Sequence, residues 1–208
     1  MSNERTWLPA VLWSVGIVAA LTLFFLIADC GGRIVSTAIG DTGALSSIEY
    51  GIRELQPAIS DERAKRLTAI FYNAGQRHNI DPLLLVAIAF KESSLSEAVE
   101  NRRKRGELGE YGLMQTHGVA LNFRPADCNH HLLPVKGRMG VNASKAYCQV
   151  ETGAAYLAEA RRKCGGTWAR WIAAYGMGRC PSDSYAKTTR PVQRAYKYYK
   201  QIGGRNWQ

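Results

Sequence analysis

Glu92 is the residue of this chain with the best claim to chemistry. It follows an unbroken apolar run, 83–90, which opens on Ile80-Asp81-Pro82. Asp81 suits a helix N-cap and Pro82 the first helical position, so the sequence predicts a helix from Pro82 to about Ser93. A helix apolar on every side is buried in a core or spans a bilayer, and this run is too short to span one. The predicted core helix therefore delivers Lys91, Glu92 and Ser93 to the boundary between core and solvent. Partial desolvation there favours a neutral carboxyl, the form a general acid needs near neutral pH. The plainer reading is a solvated last-turn glutamate, and position alone does not separate the two.

Three further motifs follow: Gly112-Leu113-Met114-Gln115, Gly153 with Tyr156-Leu157, and Ala174-Tyr175-Gly176-Met177-Gly178. With Ile80-Asp81-Pro82 and Glu92-Ser93 before them, their order and spacing resemble the soluble lytic transglycosylase-like domain family over residues 61–201. The resemblance implies a mainly α, lysozyme-like domain acting on peptidoglycan glycan strands, between N-acetylmuramic acid and N-acetylglucosamine. Glu92 would be the sole acid and base, leaving a 1,6-anhydro end without a cofactor. A water-consuming glycosidase usually needs two carboxylates.

By the same resemblance Ser93 would support the site, Met114 and Gln115 would line the glycan groove, and Tyr175 would direct its hydroxyl toward Glu92. For Met114 and Tyr175, core packing is the alternative. Gly176 stands where the family usually has Asn, Glu110 where it usually has Ala, and Thr116-His117 replace a commoner apolar residue with a nearby proline. Two other readings follow. A muramidase would hydrolyse the same bond with Glu110 or Asp127 guiding water. A catalytically silent protein would grip the wall and position an envelope-spanning machine.

Residues 7–28 form an uncharged, mostly apolar stretch of 22 residues, long enough for a single transmembrane helix. It exceeds a signal-peptide apolar core and lacks a small-x-small cleavage site, so it reads as an uncleaved anchor. Cys30 follows, but Asp29 before it argues against lipidation. Arg5 and Arg33 balance across the span and leave orientation to the substrate, which places the catalytic domain outside the cytoplasm, in the periplasm or, if phage-encoded, at a virion-associated membrane. The expected organisation is a tail at 1–6, the anchor at 7–28, a linker at 29–60, the catalytic domain at 61–201 and a tail at 202–208. Within the linker, Leu45, Ile48, Ile52 and Leu55 recur at helical spacing until Pro57, predicting a short amphipathic helix that packs on the domain or a partner. Residues 61–78 predict the first domain helix, with Leu67, Ile70 and Phe71 on one face. Arg102, Arg103, Lys104 and Arg105 predict an exposed loop or helix end.

Cys128, Cys148, Cys164 and Cys180 are an even set in a chain read as exported, which suggests disulfides. Of three pairings, the sequential one closes the shortest loops and is favoured. A zinc site using Cys128, His130 and His131 is the rival, disfavoured by the absence of a Cys-x2-Cys pair. The 208 residues carry a formal net charge of +10, which attracts polyanions. The acidic wall polymer is the economical partner, and nucleic acid is not expected. Arg194 to Lys200 interleaves bases with aromatics, but Pro191 at a helix start favours a closing helix with one buried tyrosine face. The process served, whether phage entry or lysis, conjugation, secretion or wall turnover, is not written in the residues.

Overall fold

Ser60, Asp81 and Ser182 each start a helix by accepting one of its first free backbone N–H groups. The computed structural model describes residues 42–101, 110–116, 118–128 and 146–206. Two compact units divide it, residues 1–44 and 45–208, and the first lies almost wholly outside the described residues. The predicted anchor at 7–28 and residues Arg102 to Arg105, His117, His130 and His131 also lie outside them. Among the described residues no helix is long and apolar enough to cross a membrane.

The second unit is helical. Helix α1 occupies 42–55. It is followed by α2 (Asp61–His78), α3 (Pro82–Ser93) and the single turn α4 (Glu97–Glu100). Two 3-10 turns, Gly118–Phe123 and Ala126–Cys128, precede α5 (Ala146–Cys164), α6 (Trp168–Met177), α7 (Asp183–Thr188) and α8 (Arg190–Gln201). The β-pairing among the described residues is one bridge, Tyr111 with Thr116.

Ser60 caps α2, its hydroxyl accepting from the Arg63 N–H, and Leu67 and Phe71 are fully buried. Asp81 caps α3 at 2.9 Å from the Leu83 N–H. Leu84 through Ala89 are all buried, as a helix without a polar face requires. α3 accordingly lies centrally, packed against α2, α5 and α8.

α8 closes the bundle. Tyr199 is buried and donates to the second Asp81 oxygen, while Tyr198 meets Phe90 edge-on at 4.7 Å. Tyr196 and Tyr199 each lie 5.7 Å from Trp168. The tyrosines of the basic-aromatic stretch thus face inward while Arg194, Lys197 and Lys200 stay exposed.

Two expected boundaries move. Ile48, Ile52 and Leu55 of α1 enter the main core, so the compact unit begins at Leu45 rather than at 61. Gly51 makes this possible: a Cβ there would sit 3.1 Å from Ile202 and 3.3 Å from Leu83. At the other end Ile202 is buried, and the Gly204 N–H donates to the Tyr199 carbonyl at 2.8 Å, so the expected tail begins inside the fold.

Cys128 bonds Cys148 and Cys164 bonds Cys180, across 20 and 16 residues. In the chain-entropy account each contributes about 3 kcal/mol. The first ties the 3-10 segment to α5 and takes from the rival zinc site its Cys128 thiolate.

Burial first, and then the hydrogen bond to Asp81, push the Tyr199 hydroxyl up to about 12. Tyr199→Phe removes that donor but leaves Asp81 exposed to water. The expected cost is therefore about 1 kcal/mol, read from urea unfolding with the disulfides intact.

Candidate active site

Glu92 occupies the last turn of α3, and the backbone leaves that helix abruptly. Ser94 and Leu95 both take left-handed conformations, with φ of 53° and 49°. Such angles are costly for residues with a Cβ and persist where surroundings fix them. Here the Ser94 N–H donates to the Phe90 carbonyl at 2.7 Å, Gln56 donates to the Ser94 carbonyl at 3.1 Å, and Leu95 is fully buried. Ser93 is buried too, and its hydroxyl donates to the Ala89 carbonyl at 2.9 Å. It supports the helix end from within. The Glu92 side chain is 18% exposed and pairs with Lys91, whose own side chain is 15% exposed.

Facing it is the Gly112-Leu113-Met114-Gln115 loop. Tyr111 and Thr116 close it by exchanging two backbone hydrogen bonds of 3.1 Å each. Gly112 (φ 66°) and Gln115 (φ 46°) supply the left-handed angles that reverse the chain. The Gln115 amide nitrogen donates back to the Gly112 carbonyl at 2.8 Å. Leu113 and Met114 point inward and are fully buried.

A buried amide holds this loop. Gln149 of α5 accepts the Leu113 N–H at 2.9 Å and donates to the Glu100 carbonyl at 2.8 Å. Glu100 is itself buried between Arg63 at 2.6 Å and Arg66 at 2.7 Å. The backbone approaches Gln149 so closely that a Cβ on Gly112 would lie 2.2 Å from its side chain. Gly153 plays the same part for Met114, since a Cβ there would come within 2.6 Å.

Met114 therefore does not line the groove as expected from the resemblance; the notch at Gly153 draws it into the core. Its carbonyl accepts the Tyr175 hydroxyl at 2.6 Å. Tyr175 was expected to aim that hydroxyl at Glu92, and the hydrogen bond goes instead to the loop backbone. Burial, and then the nearby Glu92 carboxylate, push the Tyr175 hydroxyl well above the usual phenol range, so it stays a donor. Tyr175 thereby pins α6 to the loop opposite Glu92.

These elements enclose a cleft of about 640 Å³. Lys91, Glu92, Glu110, Gln115, Tyr156, Tyr175 and Gly176 all line it. Glu110 shares the cleft with Glu92, whereas the Asp127 side chain lies outside the described residues. A Cβ at Gly176 would meet nothing within 4 Å, so the Asn expected there is replaced by open space. Val119 (64% exposed), Met177 (36%) and Tyr185 (54%) also line the cleft. Only one other large apolar side chain among the described residues, Tyr50, is as exposed.

The site is thus a mostly buried carboxylate at the end of the core helix of a helical bundle, opening on an apolar-rimmed cleft. The Transglycosylase SLT domain matches residues 69–198, and the chain belongs to that family. Peptidoglycan is the substrate class that membership implies. No curated protein was found to match the chain.

Reading the sequence missed Gln149, Glu100 and the rim residues Val119, Met177 and Tyr185. The motif at 112–115 shows that a turn forms there, but no local pattern names the distant amide that fixes it. Lys91 was placed at the core boundary beside Glu92, but its pairing with that carboxylate was not foreseen.

Gln149→Leu would leave the Leu113 N–H buried without its acceptor. We expect a loss of about 1–3 kcal/mol in denaturant unfolding and faster amide exchange at Leu113. Gly176→Asn should fold normally, because its side chain enters open space and Asn is a somewhat better helix residue than Gly; the melting temperature should hold or rise slightly.

Proposed function

We propose that the chain is a lytic transglycosylase cutting the bond between N-acetylmuramic acid and N-acetylglucosamine, with Glu92 acting as acid and then as base. The observation that carries the reading is the position of Glu92, at the end of a buried helix and inside the apolar-rimmed cleft of a family member. Glu92 gives its proton to the glycosidic oxygen as the bond from that oxygen to C1 breaks. The resulting carboxylate takes the proton of the muramic acid C6 hydroxyl while that oxygen bonds to C1. No water is consumed, and the acid is regenerated. Gln115 and Tyr156 would contact the glycan, whereas Ser93, Met114 and Tyr175 would hold the walls in place.

One observation favours a second reading. Glu110 lines the same cleft and is a candidate second carboxylate, which a muramidase would use to direct water. Two observations support a place of action outside the cytoplasm. Residues 7–28 are long and apolar enough to anchor the domain, and disulfides form and persist in oxidising compartments. We therefore place the domain outside the cytoplasm, tethered to the membrane, as suits local opening of the wall in phage entry or lysis, conjugation, secretion or turnover.

The test is to digest purified peptidoglycan with the full chain and weigh the released sugars. Products with 1,6-anhydro ends, one water lighter than hydrolytic ones, are expected. Glu92→Gln should lower the rate by about 10²–10⁴-fold while leaving the fold intact, and Glu110→Ala should retain cleavage. Reducible ends together with loss of activity in Glu110→Ala would move the assignment to the muramidase. Wall binding with no cleavage by the parent would favour the silent protein.

A further inference from the structure

A second groove, of about 390 Å³, runs from the cleft across the end of α5 and over the Cys164–Cys180 disulfide. The two are continuous, because Val119, Tyr156 and Gly178 line both. An aromatic row connects them: Phe123 lies 5.5 Å from Tyr156, and Tyr156 lies 5.3 Å from Tyr175. Small apolar groups, Ala160 and Ala174, share the lining with Phe123.

The charges of the groove are unequal. Glu159 is held at about 2, first by its hydrogen bond from Arg162 and further by Lys163. That carboxylate already has two cations. Arg179 also lines the groove, is exposed, and makes no ion pair among the described residues. A guanidinium is a planar fork of donors matched to a carboxylate. The groove thus offers a short apolar trough ending in one cation that is uncompensated among the described residues, continuous with the cleft.

We propose that this groove takes the acidic stem peptide of the strand whose glycan occupies the cleft, with Arg179 pairing to a peptide carboxylate. The inference rests on the glycan-cutting reading above and extends it to the peptide. Stem peptides are short, carry alanine methyls and free carboxylates, and leave the muramic acid beside the bond being cut. Because Val119 and Tyr156 line both cleft and groove, a substituent of a sugar held in the cleft can pass directly into the groove. Engaging the peptide would select wall still bearing stems over strands already stripped of them.

The test compares the full chain with Arg179→Ala and Arg179→Lys on two probes: intact peptidoglycan, and glycan strands from which an amidase has removed the peptides. Co-sedimentation reads binding, and released sugar reads cleavage. The parent should prefer the peptide-bearing probe. Arg179→Ala should weaken that preference about tenfold, the size of one charge-assisted hydrogen bond, and Arg179→Lys should keep part of it. Arg179 is exposed and makes no side-chain hydrogen bond among the described residues, so its loss should leave the melting temperature unchanged. A parent indifferent to the peptides, or an Arg179→Ala variant with its preference intact, overturns the proposal. Glu92→Gln measured alongside separates the two ideas: if it still cuts, the catalytic assignment falls, while the groove is judged by the Arg179 binding ratio alone.

Discussion

Burying the apolar run 83–90 is the constraint on which this structure depends. A helix without a polar face cannot lie on a surface, so it must be covered on all sides, and α2, α5 and α8 do this. A charge placed anywhere from Leu84 to Ala89 would be buried unpaired at several kcal/mol, a large part of a typical domain's stability. The same constraint fixes the chemistry. With the apolar run held inside, the next turn must emerge at its edge, and that turn carries Lys91, Glu92 and Ser93. The position of the carboxylate follows from packing more than from any bond made to it.

A fixed carboxylate needs a fixed opposite wall, and here the fold uses polar groups. The chain of contacts from buried Arg63 and exposed Arg66 through Glu100 to Gln149 and the Leu113 N–H runs from the surface into the interior. Such networks add little net stability over apolar packing but penalise any arrangement that leaves a member unpaired. They therefore specify position. The Tyr175 hydroxyl adds a third link by holding the Met114 carbonyl from α6. Helix, loop and α6 are thus set relative to one another, and the cleft is what remains between them.

The sequence was most legible where local rules suffice. Asp81-Pro82 and the apolar run place α3, the acidic start and apolar face place α2, and the amphipathic repeat up to Pro57 places α1. It was less legible where partners are distant. The repeat in α1 says that a face must be covered but not by what, and the answer, the main core beside Ile202 and Leu83, comes from elements more than 25 residues away. Met114 was misplaced for a related reason. The motif marks a turn, but which side chains point inward depends on the left-handed angles at Gly112 and Gln115 and on the notch at Gly153. The cysteines offered three pairings, and loop length ranked them without reference to the fold.

Recognition by this domain divides between two ranges of force. A net charge of +10 acts over a Debye length, about 10 Å at moderate salt, and draws in an acidic polymer without choosing a bond. The cleft itself cannot work that way, because its charged lining residues are one lysine, Lys91, and two carboxylates, Glu92 and Glu110. Its rim is apolar instead. Exposed Val119, Met177 and Tyr185 gather at one place where scattered apolar residues would need no explanation. Sugar rings present apolar faces that such side chains can cover. Gly176 leaves open space in the lining, so that residue's side chain adds no polar contact to the cleft wall.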